Sequence, residues 1–276
     1  MSHVPRAAAP DFTLVVPTYN EREQVPRLIE EIFAVCTAHR LSPEVIVVDD
    51  NSPDGTGARV EALADRWRVR VLHRRAKLGL GSAVMAGVDA STTAIVGVMD
   101  ADLSHPPRLL PALFNALESL KADMVVASRY VPGGRTEHWP WTRHAMSRMA
   151  CWAARPLTPV RDPMSGFFLM RKELVSGLRT STRGFKIGLE LLVRTRPDSV
   201  AEIAYTFRNR AGGRSKMSAG EVFRYLRQLI GLLSFSARHR PRRPQYRVFR
   251  APGPVDASPA VESHPDLSPN VAPIAR

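Results

Sequence analysis

The chain has 276 residues, 44% of them hydrophobic, a formal net charge of +13 and two cysteines. That length buries a full core, and the composition excludes a collagenous or low-complexity protein; Cys36 and Cys151 sit in no paired-ligand or redox spacing, which excludes a disulfide framework and a structural zinc site. The first ten residues, MSHVPRAAAP, lack a signal-peptide core, and the apolar run LIGLLSFSA is about half a membrane span, so the expectation is a cytoplasmic protein with no signal peptide and no transmembrane helix.

In chain order, Phe12 to Pro17 (FTLVVP) reads as a first strand, and EREQVPRLIEEIFAVCTAH as a helix with Val25, Leu28, Ile32 and Val35 at helical spacing. EVIVVDD is the second strand, GTGARVEALADRW the next helix, VRVLHR the third strand and LGSAVMAGVDA a helix. AIVGVMD, RLLPALFNALESL and DMVVASRY follow as strand, helix and strand. Strands alternating with helices require crossover connections, which predicts an α/β fold with a mostly parallel sheet flanked by helices. In such sheets ligands gather outside the carboxyl ends of the strands. The residues there are 17–21, 49–51, 100–102 and 128–130, each a polar group following an apolar run.

Helix capping explains one acid at such a junction, but Asp49-Asp50 and Asp100-Ala101-Asp102 supply two each. In an extended segment i and i+2 share a side, so Asp100 and Asp102 are expected to project together. Close carboxylates repel unless a cation lies between them, and a pair of hard oxygens suits Mg²⁺ or Mn²⁺ bridging to a diphosphate. GLGSAV (residues 79–84) imitates a dinucleotide fingerprint, but Val84 replaces its third glycine and it follows the third strand.

Residues 206–250 hold twelve Lys or Arg and one acid, Glu221. That reads as a solvated basic face or a site for an anionic partner, nucleic acid or membrane. EVFRYLRQLIGLLSFSARHR places Val222, Leu226, Leu229, Ile230 and Leu233 on one helical face and Arg224, Arg227 and Gln228 on another, the pattern of a helix packed on the domain or lying on a bilayer. After Arg250 six prolines and few apolar residues predict a disordered tail, which is expected to be dispensable for catalysis.

VVPTYNERE, VVDDNSPDGTG, KLGLGSA, MDADLSHPP, ASRYVPGG, DPMSGFFLMRK and GGRSKMS resemble, in order, the motifs of the polyprenol-phosphate (dolichol-phosphate) mannosyltransferases, inverting glycosyltransferases of family 2 with the GT-A, Rossmann-like fold. The resemblance covers about residues 11 to 238. The resemblance, together with the composition beyond it, divides the chain into an expected flexible N-terminus (1–10), a GT-A domain (11–217), an amphipathic interfacial helix (218–240) and a basic, then proline-rich disordered tail (241–276). It implies transfer of mannose from GDP-mannose to a polyprenyl or dolichyl phosphate, with Pro17, Tyr19, Glu21, Val48, Asp50, Asp100, Ala101, Asp102, Arg210 and Lys216 binding the nucleotide sugar. Asp100 and Asp102, with Ser104 where some relatives carry Gln, would hold the metal, and Asp102, Arg129 and Arg143 would be catalytic. Arg129, Arg143 and Ser147 would contact the acceptor phosphate on a mobile loop hinged at Gly133 and Gly134, with Trp139 and Trp141 meeting lipid. It further implies peripheral attachment to the cytoplasmic face of an anionic membrane, with a membrane-anchoring partner subunit possible and no specific nucleic acid. Glucose transfer from UDP-glucose and nucleic-acid binding remain the alternatives; against the second, few aromatics interleave the basic residues.

Overall fold

The computed structural model describes residues 9–176, 178, 186–208, 219–239 and 245–249. The alternation expected from the sequence forms β1 (Phe12–Thr18), α1 (Gln24–Ala38), β2 (Pro43–Asp49), α2 (Thr56–Glu61), β3 (Val69–His73), α3 (Leu80–Ala90), β4 (Ile95–Val98), α4 (Leu110–Ser119) and β5 (Met124–Ser128). There follow β6 (Arg135–Thr136), α5 (Trp141–Ala153), β7 (Phe168–Arg171), α6 (Ile187–Thr195), β8 (Ser199–Ala204), β9 (Thr206–Phe207), α7 (Ala219–Arg238) and β10 (Gln245–Phe249). Among the described residues the main sheet runs β10-β8-β5-β7-β4-β1-β2-β3, and β6 pairs with β9 apart from it. Every neighbour in the main sheet is parallel except β7, which is antiparallel to both β4 and β5.

The two faces of the sheet carry separate cores, as strands buried on both sides must. Phe12, Leu14 and Val16 of β1 pack with Leu28 and Ile32 of α1 and Leu113 and Leu117 of α4. Val15, one residue out of phase, joins Val84 and Val88 of α3 and Ile187 and Leu191 of α6 on the other face. A third cluster ties α5, α6 and α7 together through Cys151, Leu189, Tyr225, Leu229 and Leu232. Gly87 on α3 lets that helix lie against β1 and β2: a Cβ there would come 2.4 Å from Val15 Cγ1 and 3.0 Å from Val48 Cγ2. Both neighbours are stiff, β-branched and fully buried. Gly87→Ala is therefore expected to lower stability by about 1–3 kcal/mol through overpacking, outweighing the helix-propensity gain, and to appear as a lower urea midpoint at unchanged slope.

The helix expected over 55–67 ends at Glu61. The following turns tighten, with Leu63 N donating to Val60 O and Ala64 N to Glu61 O, and they bring Trp67 into a stack on Phe33 at 4.9 Å. Within the span expected as tail from residue 241, Gln245–Phe249 form β10, paired in parallel with β8 from Ser199 to Ile203; the residues after Phe249 lie outside the described ones.

Candidate active site

β7 sets the geometry of the site. Because it runs against its neighbours, its entry turn arrives at the edge where β1, β2, β4 and β5 end. The loops after β4 and β5 therefore meet residues 162–166 there.

At the β1 and β2 ends, Asn20 and Asn51 adopt φ near 61°, a left-handed conformation that Asn tolerates. Asp49 is buried and accepts from Thr18 Oγ1, Ser52 N and Ser52 Oγ. Asp50 accepts Arg74 Nη1 at 2.5 Å and the Gly79 amide at 3.0 Å, so the early acid doublet is a buried brace that joins three loops. Glu21 N donates to Thr56 Oγ1. Tyr19 is exposed, with the Lys77 ammonium 3.6 Å above its ring. Pro17 is half-buried. The Val48 side chain is fully buried beneath Gly87 and Ala101 is buried in the core on the opposite face, so neither side chain is presented to a ligand. Any contact they make is through the backbone.

β4 ends at Val98, and Asp100 and Asp102 lie in the turn beyond it, not in an extended segment; Leu103, at φ 60°, turns the chain away. The alternation argument for their common direction therefore fails. Asp102 is buried, and its Oδ1 accepts both the amide (3.0 Å) and the hydroxyl (2.5 Å) of Ser104. Ser104 is 1% exposed and its hydroxyl donates to Asp102, bracing that carboxylate. The Asp100 side chain is about a third exposed (35%). His105 is buried and stacked on Phe167 at 5.3 Å. Its Nδ1 accepts the Asp100 amide at 3.3 Å, which leaves the neutral ring's proton on Nε2, 3.8 Å from Asp100 Oδ2. Burial holds His105 below its ordinary pKa against the opposing pull of Asp100 and Asp102.

Among the described residues no three His, Cys, Asp or Glu side chains converge into a metal cage. The residues present still fit a hard divalent ion shared with phosphate oxygens. They offer two carboxylates, one of them partly open, and a Cβ on Gly166 would press to 3.1 Å from Asp100 Oδ1 and 3.2 Å from Oδ2. The missing side chain at Gly166 is what leaves that carboxylate room.

Arg129 follows β5 and is almost fully buried. Its Nε and Nη2 donate to Asp162 Oδ2 and Oδ1, both at 2.7 Å, and its own amide donates to Oδ2 at 2.9 Å. This bidentate pair raises the guanidinium pKa against the burial that would lower it. Gly134 packs on this segment, since a Cβ there would lie 2.6 Å from the Arg129 carbonyl carbon. The expected hinge thus has a close contact at its second glycine. Arg143 on α5 stacks 4.0 Å from the Trp139 ring centroid, and Arg129 lies 5.3 Å from the same ring. Trp139 also meets Phe207 edge-on at 5.2 Å, so its ring packs within the site, while Trp141 is 80% exposed. The Trp139 indole N–H is buried and donates to no acceptor among the described residues. Ser147 shares the Arg143 face of α5 and accepts from Tyr130 Oη at 2.7 Å.

Sequence reasoning missed Asp162 and Lys186. The first carried a signal, standing within DPMSGFF. Lys186 precedes α6 without a recognisable pattern; burial and then Arg129 lower its ammonium pKa, while Asp100 raises it. Gln228 of α7 clasps the Lys186 backbone, accepting from its amide and donating to its carbonyl, both at 3.0 Å. Arg210 and Lys216 lie outside the described residues.

The pattern described as Glycosyl transferase family 2 matches residues 13–179, which include the whole Asp100–Asp162 constellation. The chain belongs to that family. Dolichol-phosphate mannosyltransferase of Saccharomyces cerevisiae is 37% identical over 236 residues, covering 82% of this chain and 88% of the yeast protein. Polyprenol monophosphomannose synthase of Mycolicibacterium smegmatis is 38% identical over 221 residues, 76% of this chain and 82% of that one. Dolichol-phosphate mannosyltransferase of Pyrococcus furiosus is 38% identical over 227 residues, 81% of this chain; the match spans only 64% of that relative's length. In fold, this family 2 chain is similar to glucosyl-3-phosphoglycerate synthase of Mycobacterium tuberculosis, solved with Mn²⁺, UDP and glucosyl-3-phosphoglycerate. The TM-score is 0.60 at 24% identity, over 84% of this chain and 81% of that one. The α/β architecture is thus the GT-A arrangement expected.

Proposed function

We propose that this family 2 glycosyltransferase transfers mannose from GDP-mannose to the phosphate of a membrane polyprenol, inverting the anomeric centre. The observation that carries this reading is kinship at 37% identity over 88% of a yeast dolichol-phosphate mannosyltransferase. The site is compatible with it. A phosphate monoester, with a second pKa near ~6, is mostly dianionic at neutral pH and needs no general base. Its oxygen bonds to C1 of the sugar as the C1–O bond to GDP breaks, and GDP leaves with the electron pair. The work left to the protein is to align two anions and offset their repulsion.

Asp100 and Asp102 would hold Mg²⁺ or Mn²⁺, which when bound neutralises the departing diphosphate. Pro17, Tyr19, Glu21 and the backbone at Val48 and Ala101 face the donor; Asp50 acts through Arg74 and Gly79. Arg210 and Lys216, outside the described residues, are assigned to donor binding on the family resemblance alone. Arg129 and Arg143 hold the acceptor phosphate; Arg129 keeps donors beyond the two committed to Asp162, and the buried Trp139 N–H lies on the same ring that both guanidiniums face. The deciding experiment is GDP release from GDP-mannose with and without polyprenyl phosphate, beside UDP release from UDP-glucose. Lipid-dependent turnover of GDP-mannose alone is expected; preference for UDP-glucose would overturn the donor assignment.

The lipid acceptor calls for peripheral attachment to the cytoplasmic face of a membrane, directly or beside an anchoring subunit. No helix among the described residues is long and apolar enough to cross a membrane. α7 divides differently from the expected face: Tyr225, Leu229 and Leu232 pack on the domain, while Val222, Phe223, Leu226, Ile230 and Leu233 are exposed. Tyr225 Oη donates to Ala150 O, which sets α7 against α5, where Trp141, Met149 and Trp152 are exposed too. Apolar side chains with Arg224, Arg227 and Arg238 on the same helix suit the interface of an anionic bilayer. The protein is expected to float with anionic vesicles at low salt and less so as salt rises. Leu226→Ser with Ile230→Ser should reduce flotation and leave GDP-mannose affinity unchanged. Equal flotation with neutral vesicles would contradict the electrostatic part.

A further inference from the structure

We propose that Glu202, braced by Tyr246, is a positioning residue for Arg129, so that the C-terminal edge strand β10 is part of the support of the active site. Glu202 lies in the interior of β8 between Ala201 and Ile203, both core residues, and is itself 0% exposed. A carboxylate in that place is costly unless donors surround it. Its Oε1 accepts the Asp162 amide at 3.0 Å and its Oε2 the Arg161 amide at 2.8 Å. The Tyr246 hydroxyl of β10 donates to Oε2 as well.

These contacts have one consequence in common. Residues 161 and 162 belong to no helix or strand, so their backbone is fixed by what it bonds to. Glu202 holds both consecutive amides, and the side chain they carry, Asp162, receives three bonds from Arg129. Ser128, the residue before Arg129, lies on β5 two positions beyond Val126, the residue paired with Glu202. Glu202 thus holds the Asp162 half of the Arg129–Asp162 pair from beneath, on the strand paired with the one that leads into Arg129, and is itself fully buried. Tyr246 comes from the far side of the basic segment and places its hydroxyl on the outer oxygen. The pairing of β10 with β8 sets Tyr246 opposite Val200, two residues before Glu202 on the same strand, and so within reach.

The kinetic half of the test rests on the reading of Arg129 as an acceptor-phosphate contact; the spectroscopic half does not. In full-length protein with ¹⁵N-labelled arginine, the Arg129 Nε–H signal is identified by its loss in Arg129→Lys, and its exchange with solvent is measured. Tyr246→Phe removes one hydroxyl and nothing else; Glu202→Gln keeps the size but turns an N–H toward one of the two amides. Both are expected to speed Nε–H exchange and to raise KM for polyprenyl phosphate, Glu202→Gln by about tenfold, the loss typical when an outer hydrogen-bond partner of a functional group is removed. KM for GDP-mannose should stay level, a split that general loosening of the fold would not give. Should Glu202→Gln fail to fold, Tyr246→Phe decides. Unchanged Nε–H exchange in the folded variants overturns the proposal. Faster exchange with ordinary acceptor KM in both variants and in Arg129→Lys upholds the positioning role and removes Arg129 from the acceptor site.

Discussion

Asp102→Asn is expected to lower turnover on the order of 10²-fold or more, the scale seen when one preorganised electrostatic contact to a developing charge is lost, while the unfolding midpoint hardly moves. The two halves of that expectation have separate causes. Asp102 Oδ1 accepts the Ser104 amide and hydroxyl, and an amide oxygen accepts both equally well, so the turn persists. What disappears is a negative charge beside Asp100, and with it the affinity of the pair for a hard cation. Turnover is read by GDP release across a titration of Mg²⁺ and Mn²⁺, with chelator as control. A variant that turns over normally in chelator would show that neither carboxylate holds a metal that matters. Gly166→Ala offers an independent approach to the same site, because the added methyl meets the Asp100 carboxylate without changing any charge.

The alternation of apolar runs made β1 to β5 and their helices legible, because each strand is buried on both faces and each helix shows one apolar stripe. LGSAVMAGVDA is α3 from Leu80 to Ala90 to the residue. β7, β8 and β10 were not legible. β7 has only four residues, β8 carries Glu202 in its buried interior, and β10 stands among arginines; in each the local pattern contradicts a tertiary role that only pairing reveals. The antiparallel sense of β7 has no local signature at all, yet it brings Asp162 to Arg129 and Gly166 to Asp100. At the site, motif resemblance picked out Asp100, Asp102, Arg129, Arg143 and Ser147, and the fold gathers Arg129, Trp139, Arg143 and Phe207 into one cluster. It gave Val48 and Ala101 as pocket-lining positions without the pleat that buries the Val48 side chain or the turn that buries Ala101. The two tryptophans flanking Pro140 look alike in sequence, and only the packing on Phe207 sets Trp139 against the site while Trp141 stays exposed.

Asp162→Ala is expected to be the most destabilising of the site substitutions, by about 3–5 kcal/mol, because it removes one partner of a buried ion pair and leaves the other charged without compensation. The Arg129 guanidinium cannot escape by losing its proton, since arginine stays charged in proteins. Nor is it free to turn outward: its amide shares the same carboxylate, and Tyr130, Trp139 and Phe207 stand around it. Against a total stability of about 5–15 kcal/mol for a domain, such a loss should lower the urea midpoint markedly or prevent folding at 37 °C. Arg129→Leu combined with Asp162→Leu separates the structural from the chemical role. With both charges gone and the volume partly refilled, stability is expected to recover by several kcal/mol relative to Asp162→Ala, since apolar replacement of a buried pair is often neutral or favourable. Lipid-dependent turnover should not recover, because the acceptor side has lost its cation. A double variant that is stable and active would show that the pair only fills space. One that is as unstable as Asp162→Ala would show that the geometry around residue 162, and not the charge, is what the fold requires.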